Sequence, residues 1–546
     1  MEQPALFREL TPMCVKLSSK GYVLVCLNAL VLAACSAQNG DPSQNTGGKP
    51  GNGGASGHSG GNTSISGSPG AGGTSAGGLT GSGGSTGGTA SGGASNQGGS
   101  SSAMGGSAAG GSNSGGAGSS SGGSANSGGS TGSGGSAQGG TAGMTAAGGN
   151  TGSTGGGMCG KESCATGCTA PNLPAFSALT SNEKLPDPFK TSSGTRISSK
   201  SEWPCRRAEV AAQLQKYETG SKNPKEPGTV TGSVSGSTFT VNVLGKSFTV
   251  SIKLPSGNGP FPAVVYLDSF SLPGNWNNVA QIKFDTNSMG SQNGGRGQGF
   301  FFSTTGSNDG AGALIAWSWG VSRLIDALEA TPAAKIDPKR IAITGCSRNG
   351  KGALMIGAFD ERIALTIPQE SGSGGSAAWR VSYAEDASFG GTMSSHKVQT
   401  LDSAYGEQPW FGTALQQFSG ASNTNKLPFD HHQLLGMVAP RGLLILENTD
   451  YQWLGVNSVA TSSTAAQMIF EGLGVLDNIG FSNSSHSHCS PNSAEAPYVD
   501  AFVQKFLFGK TETATKVWKI SKTAFGSSSA TIDKAKWIDW TVPALN

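Results

Sequence analysis

Arg340-Ile-Ala-Ile-Thr-Gly-Cys-Ser-Arg-Asn-Gly-Lys-Gly-Ala-Leu-Met-Ile-Gly-Ala-Phe359 decides the fold. Its first five residues are rich in β-branched side chains and read as a buried strand, and residues 350–359 read as a helix. Between them, Gly345-Cys346-Ser347-Arg348 allows only a sharp turn. A serine on such a turn, between a strand and a helix, projects its hydroxyl above the carboxyl edge of a sheet. The spacing departs from the usual G-x-S-x-G by placing the second glycine one position late, at Gly350.

Outward from this stretch the chain alternates strands and helices. Residues 229–254 alternate polar with Val, Phe and Ile around Ser235-Gly236 and Leu244-Gly245 turns, which predicts an antiparallel hairpin region. Residues 261–268, 365–368 and 443–446 are short apolar runs, as expected of strands covered on both faces. Leu314, Trp317, Val321, Leu324, Ile325 and Leu328 share one face of a helix over 312–330, and 202–216, 464–473 and 498–508 read as further helices. A hairpin leading into alternating strands and helices predicts an α/β-hydrolase fold, a mostly parallel sheet sandwiched by helices.

The histidines narrow the chemistry. Of six, His58 lies among glycines, His396 in a polar stretch, His431 and His432 before the 443–446 run, and His486 and His488 late in the chain. Hydrolase order is serine, acid, histidine, which puts the base late. His488 is preferred because Cys489 adjoins it just as Cys346 adjoins Ser347, so one disulfide would bring base and nucleophile together. Zinc ligation by His486, His488 and Cys489 with His431 or His432 is the competing reading; it fails if the cysteine is oxidised. Glu370 directly follows the strand after the serine helix and is placed to steady an imidazolium. Glu447 and Asp450, after the next strand, are alternative acids. The backbone N–H of Arg348 should face a developing oxyanion, and its guanidinium could add a donor in a dry pocket. Lys351, one turn into the helix, is expected on the mouth side.

The composition bounds the rest. Eighty-eight glycines, concentrated before residue 157, leave residues 36–157 unable to build a core. They read as a Gly/Ser/Thr-rich disordered tether with an end-to-end distance of about 55–65 Å. Residues 158–546 suffice for one enzyme domain. A formal net charge of +3, without a dense Lys/Arg run, excludes a nucleic-acid footprint and a polybasic membrane patch. Residues 1–35 read as a lipoprotein signal peptide. Lys16 and Lys20 precede an apolar run over 22–32, and Leu32-Ala-Ala-Cys35 suits cleavage before a lipidated Cys35. The predicted location is the outer membrane, facing the periplasm or the exterior, with secretion if Cys35 stays unmodified. Past Cys35 an even set of cysteines remains, Cys159, Cys164, Cys168, Cys205, Cys346 and Cys489, as an oxidising compartment favours.

Gly345-Cys-Ser-Arg-Asn-Gly-Lys-Gly-Ala353, Pro368-Gln-Glu-Ser-Gly372, Asp430-His-His432, Ala439-Pro-Arg-Gly-Leu443 and Trp537-Ile-Asp-Trp540 together resemble the glucuronoyl esterases of carbohydrate esterase family 15, from about Cys168 to the C-terminus. The resemblance implies hydrolysis, through an acyl-enzyme and without cofactor or metal, of the ester joining 4-O-methylglucuronic acid on xylan to lignin alcohols. It implies Ser347 as nucleophile, His488 as base, Glu370 as acid and Arg348 at the oxyanion. It also implies Lys351, Gln399, Glu407 and Trp453 as sugar-binding residues and a Cys168–Cys205 bridge, which would leave Cys159–Cys164 to pair locally. Some bacterial relatives draw the acid from the 447–450 region. A monomer acting on glucuronoxylan is expected, with no membrane contact beyond the lipid. An acetyl or feruloyl esterase, or a non-catalytic polysaccharide-binding lipoprotein, are the rival readings.

Overall fold

The computed structural model describes residues 162–163, 165, 167–308, 310–520 and 532–546. The signal peptide, Cys35, the tether, Cys159 and Cys164 lie outside the described residues. Ten strands form one sheet: β1 (Thr231–Ser235), β2 (Thr238–Val243), β3 (Lys246–Lys253), β4 (Phe261–Leu267), β5 (Ala280–Phe284), β6 (Ile336–Cys346), β7 (Ile363–Gln369), β8 (Gly442–Asn448), β9 (Ile479–Ser484) and β10 (Trp518–Lys519). Their spatial order is β1-β2-β3-β5-β4-β6-β7-β8-β9-β10. The first three strands and β5 pair antiparallel, and every pairing from β5–β4 to β9–β10 is parallel. The mixed, mostly parallel sheet is the α/β-hydrolase arrangement that the alternating pattern predicts.

Burial follows the two roles. In β2, buried and less buried residues alternate, with one face wet, whereas β8 is buried at every residue. Successive residues of the central strands feed opposite cores. Val265, Ile343 and Ile445 pack with Trp317 of helix Ala313–Glu329 and with Leu354 and Ile356 of helix Arg348–Phe359. Val264, Ala342, Leu365, Leu444 and Leu446 pack on the other face against Val499, Phe502 and Val503 of helix Ala496–Phe506.

Several elements escape the sequence reading. The strand β5, Ala-Gln-Ile-Lys-Phe, alternates over too few residues to stand out, and β9, Ile-Gly-Phe-Ser-Asn-Ser, is polar enough to read as a loop although it is buried between neighbours. The helix predicted over 464–473 begins at Val456. Its first half is rich in Ser, Thr and Asn, and it holds because Glu385 accepts from the otherwise unpaired Asn457 and Ser458 N–H groups at 3.0 and 2.8 Å. Glu385 itself lies on a helix, Trp379–Ser388, that the sequence does not announce.

Candidate active site

Register places the site. Cys346, Gln369, Leu446 and Ser482 stand side by side across β6, β7, β8 and β9. The residues one step beyond this row, Ser347 and Glu370 among them, emerge at the same carboxyl edge. Ser347 adopts φ +60° and ψ −126°, and its N–H donates to Gln369 O at 2.9 Å. Six non-glycine residues have positive φ among the described residues, and Ser347, Glu370 and Cys489 are three of them. Backbone strain is therefore concentrated where the chemistry would be.

The late glycine has a steric reason. A Cβ at Gly350 would lie 2.3 Å from Gln369 O, and one at Gly345 would lie 2.4 Å from Asn349 O. The first turn of the serine helix is thus pressed onto the end of β7. Asn349, between them, donates to Leu267 O and to Asp268 Oδ2, both at 3.2 Å, and ties the turn to β4.

The histidine reaches this edge from β9, three strands away from β6, or about 14 Å at ordinary strand spacing. The connecting loop is pinned at each strand end it crosses. Ser485 Oγ donates to Asp450 Oδ2 at 2.7 Å, and Asn448 Nδ2 donates to His486 O at 2.8 Å, both beyond β8. Beyond β7, Glu370 Oε2 meets His488 Nδ1 at 2.5 Å, and Glu370 Oε1 accepts from Cys489 N at 2.8 Å. At β6 the Cys489–Cys346 disulfide closes the crossing, with Cα atoms 5.6 Å apart. Tyr451 Oη accepts from His488 N at 2.9 Å.

Glu370 is buried, which alone would raise its pKa. Hydrogen bonds from His486 and His488, the charge of His488 and the Cys489 N–H outweigh burial and hold the carboxyl at about 2. Glu447 is the opposite case. Burial pushes it up to about 7, against hydrogen bonds from Ser376 and Ser371, and its Oε1 is occupied by Ser371 N, Ser371 Oγ and Ser376 Oγ. Asp450 is exposed and engaged by Ser485. Of the three acids considered from sequence, only Glu370 contacts His488 among the described residues. His488 Nε2 has no protein partner among the described residues, and no hydrogen bond yet joins it to Ser347 Oγ. Such contacts often tighten only when substrate binds.

The four sugar-site candidates form one chain. Lys351 Nζ donates to Ser371 O, Ser373 O and Gln399 Oε1 at 2.8, 2.6 and 3.0 Å. Gln399 Nε2 donates to Glu407 Oε2 at 2.5 Å, and Gln399 N to Trp453 O at 3.0 Å. Trp453 is 47% exposed and lies edge-on to His488 with ring centroids 5.9 Å apart. Lys351 departs from the sequence expectation of a mouth-side lysine. It is buried beneath Gln399, and burial lowers its pKa to about 8 while Glu407 and Glu447 pull it back up. Arg348 departs too: its side chain is exposed, not enclosed in a dry pocket.

The sequence reading missed Asn448, which also donates to Glu370 Oε2 at 3.2 Å, and Tyr451. Asn448 ends β8 and Tyr451 lies three residues beyond it, and that position is the only signal they carry. His431 and His432 are held elsewhere, by Glu218 and Gly375 O and by Pro186 O. Among the described residues, one group has metal-ligand spacing, Cys346, Glu370 and Cys489, and its sulfurs are spent in the disulfide. Cys168 and Cys205 are also bonded, with Cα atoms 5.3 Å apart.

Comparison with known proteins agrees with this geometry. A family model described as glucuronyl esterase of fungi matches residues 238–474. The 4-O-methyl-glucuronoyl methylesterase of Hypocrea jecorina (strain QM6a) is 43% identical over 391 residues, covering 70% of this chain and 80% of that protein. The enzyme of the same name from Schizophyllum commune is 43% identical over 383 residues, covering 68% and 94%. The glucuronoyl esterase catalytic domain of H. jecorina superposes with a TM-score of 0.62 over 68% of this chain and all of that one. A variant of the Sporotrichum thermophile glucuronoyl esterase, in complex with methyl 4-O-methyl-β-D-glucopyranuronate, gives the same TM-score at 39% identity, covering 69% of this chain and 100% of that one. With this identity carried across 80% or more of each of those relatives, the chain belongs to the glucuronoyl esterases of carbohydrate esterase family 15.

Proposed function

We propose that this carboxylic ester hydrolase cleaves 4-O-methyl-glucuronoyl esters with Ser347, His488 and Glu370 as its triad. The observation that carries the assignment is the 2.5 Å Glu370–His488 Nδ1 contact, in a loop bonded through Cys489 to the residue before Ser347. Glu370, kept ionised, fixes the tautomer that leaves Nε2 free to take the serine proton. Ser347 Oγ then attacks the ester carbonyl, and the oxyanion meets the backbone N–H of Arg348, which opens a helix and so has no intrahelical acceptor. The exposed Arg348 guanidinium stands at the rim and adds its donor there as substrate seats. His488 returns the proton to the departing alcohol, leaving an acyl-enzyme. A water deprotonated by the same imidazole releases the acid.

The Lys351–Gln399–Glu407 chain and Trp453 receive the sugar. Its hydroxyls would exchange with bonds inside the chain, and the exposed indole offers a flat apolar surface. The natural substrate in this reading is the ester between 4-O-methylglucuronic acid of glucuronoxylan and a lignin alcohol. Two disulfides fit an oxidising compartment outside the cytoplasm. Residues 1–35 as a lipoprotein signal, a lipid on Cys35, 36–157 as a tether and 158–546 as the enzyme complete the proposal.

The test is turnover of the methyl ester of 4-O-methylglucuronate by wild type and Ser347→Ala, with acetylated xylan and feruloyl esters alongside. Expected is loss of turnover in the variant with unchanged folding, and preference for the glucuronate ester. Turnover by Ser347→Ala near the wild-type rate refutes the mechanism, preference for acetyl or feruloyl esters refutes the substrate, and binding of xylan without any turnover by wild type refutes both.

A further inference from the structure

His488 is not the only imidazole on Glu370. His486 Nε2 lies 3.2 Å from Glu370 Oε1, and its Nδ1 lies 3.3 Å from Ser484 Oγ. Ser484 Oγ stands 2.9 Å from Glu495 Oε1 and accepts from Asn492 Nδ2 at 2.8 Å. Both nitrogens of His486 are thus engaged away from Ser347, so it cannot serve as the base.

An ionised Glu370 only accepts, so His486 must donate from Nε2. A neutral His486 then accepts at Nδ1, and an ionised Glu495 accepts as well. Ser484 has a single proton to give to the two of them. With both carboxylates ionised and the imidazole neutral the chain is one proton short. One added proton, on His486 Nδ1 or on Glu495, satisfies every contact.

We propose that His486 is a positioning residue that holds Glu370 and, with Ser484 and Glu495, stores one proton behind the catalytic acid, setting how strongly Glu370 supports the His488 imidazolium. The inference rests on His488 being the base. Glu370 faces His486 from the end of β7 and Glu495 from the turn before helix Ala496–Phe506. Asn448, uncharged, faces it from β8, His488 shares Glu370 with it, and Asp450 is engaged by Ser485. Although burial lowers the His486 pKa, the Glu370 hydrogen bond and the charges of Glu370 and Glu495 raise it overall, and burial raises that of Glu495. Both members favour the extra proton. With the proton on His486, the cation at one oxygen of Glu370 opposes formation of a second one, the His488 imidazolium, at the other. Removing His486 strips away that cation and frees Glu370 to support the imidazolium more strongly, and both changes move the acid limb of the rate to higher pH.

The experiment is the pH profile of kcat/KM on the methyl ester of 4-O-methylglucuronate for wild type, His486→Gln, His486→Ala and Ser484→Ala, with Ser347→Ala as the blank. The acid limb is expected to move to higher pH by about half a unit or more in His486→Ala, and by less in His486→Gln, which keeps a donor. In His486→Ala, kcat should fall about tenfold with KM within about twofold, and glutamine should restore most of it. Ser484→Ala should move the limb in the same direction and reads the relay even if His486→Ala folds poorly. An acid limb in His486→Ala at or below that of wild type, or one unmoved by Ser484→Ala, overturns the inference alone. Turnover by Ser347→Ala overturns the functional reading beneath it.

Discussion

The Cys346–Cys489 bond makes two separable contributions, and a pair of double variants can tell them apart. It joins residues 143 apart in sequence, whereas Cys168–Cys205 joins residues 37 apart. Loop-closure entropy then assigns the first bond about 5 kcal/mol and the second about 4 kcal/mol of stability. The entropic losses on replacing both cysteines by alanine are therefore nearly equal, with the longer loop losing slightly more. Kinetics should separate the two. Without Cys346–Cys489 the loop still has the Glu370, Asn448 and Asp450 anchors, but it loses the one that fixes His488 at the end of β6. Well below the melting temperature, Cys346→Ala/Cys489→Ala should lose about 10- to 100-fold in kcat, as expected when a base is misplaced by about 1 Å. Cys168→Ala/Cys205→Ala, at the start of helix Trp203–Leu214, should stay within about twofold of wild type. Urea unfolding read by tryptophan fluorescence gives the stabilities, and hydrolysis of benzyl glucuronate gives the rates. Turnover in the Cys346/Cys489 variant within twofold of wild type would refute the idea that the bond positions the base.

Glu370→Gln should cost about 10³- to 10⁴-fold in kcat, because the amide no longer fixes the imidazole. Glu447→Gln should cost little, since Glu447 already holds its proton up to about pH 7, and Asp450→Asn should likewise be mild. A larger loss for either than for Glu370→Gln on the same ester would move the acid to β8. Lys351→Ala and Trp453→Ala should act chiefly through substrate capture, lowering kcat/KM more than kcat, and unaltered kcat/KM in both removes them from the sugar site. Stability, followed by urea titration across pH, should peak near pH 4.5–5. Glu370, held at about 2, contributes about 3 kcal/mol above its ordinary pKa of 4.5 that is lost as pH falls from 4.5 toward 2. Glu447 and Glu385, raised to about 7 by burial, favour the folded state below 4.5 and lose that advantage as pH rises to 7. His432, lowered to about 4, works against them but is a single group. A stability that climbs steadily from pH 5 to 7 would refute this balance.

The sequence makes the proposed reacting residues legible and hides what holds them. Ser347, Glu370 and His488 stand in short islands whose neighbours, glycines, a strand end and a cysteine, have a geometric meaning independent of the rest of the chain. Central strands such as β8 show because burial on both faces demands an unbroken apolar run. The polar scaffolding does not show. The strand β9 is buried with serine and asparagine side chains, and the first half of helix Val456–Gly472 is held by a glutamate over seventy residues earlier. Lys351 illustrates the same limit. Its helical position predicts a lysine at the mouth, and only tertiary contact reveals two backbone carbonyls and Gln399 closing over it. Contacts set by distant backbone leave no periodicity to read.

The order of the strands explains how the proposed triad can be assembled at all. Strands β6, β7, β8 and β9 are adjacent in space in the same order as in sequence, so each successive strand end adds its residue one strand spacing further from the nucleophile. The serine and its acid partner are neighbours by register, at no further cost. The base, born at the far end of this row, has to be returned across two strand ends to reach β6. A flexible loop would make that return rarely, and each pin reduces the search: Asp450 and Asn448 at β8, Glu370 at β7, the disulfide at β6. The cysteines flank the nucleophile and the base because covalent closure removes the most freedom at the last and longest step. The positive φ at Glu370 and Cys489 falls on two residues bonded in this return, and that at Ser347 on the residue next to Cys346, where the return closes.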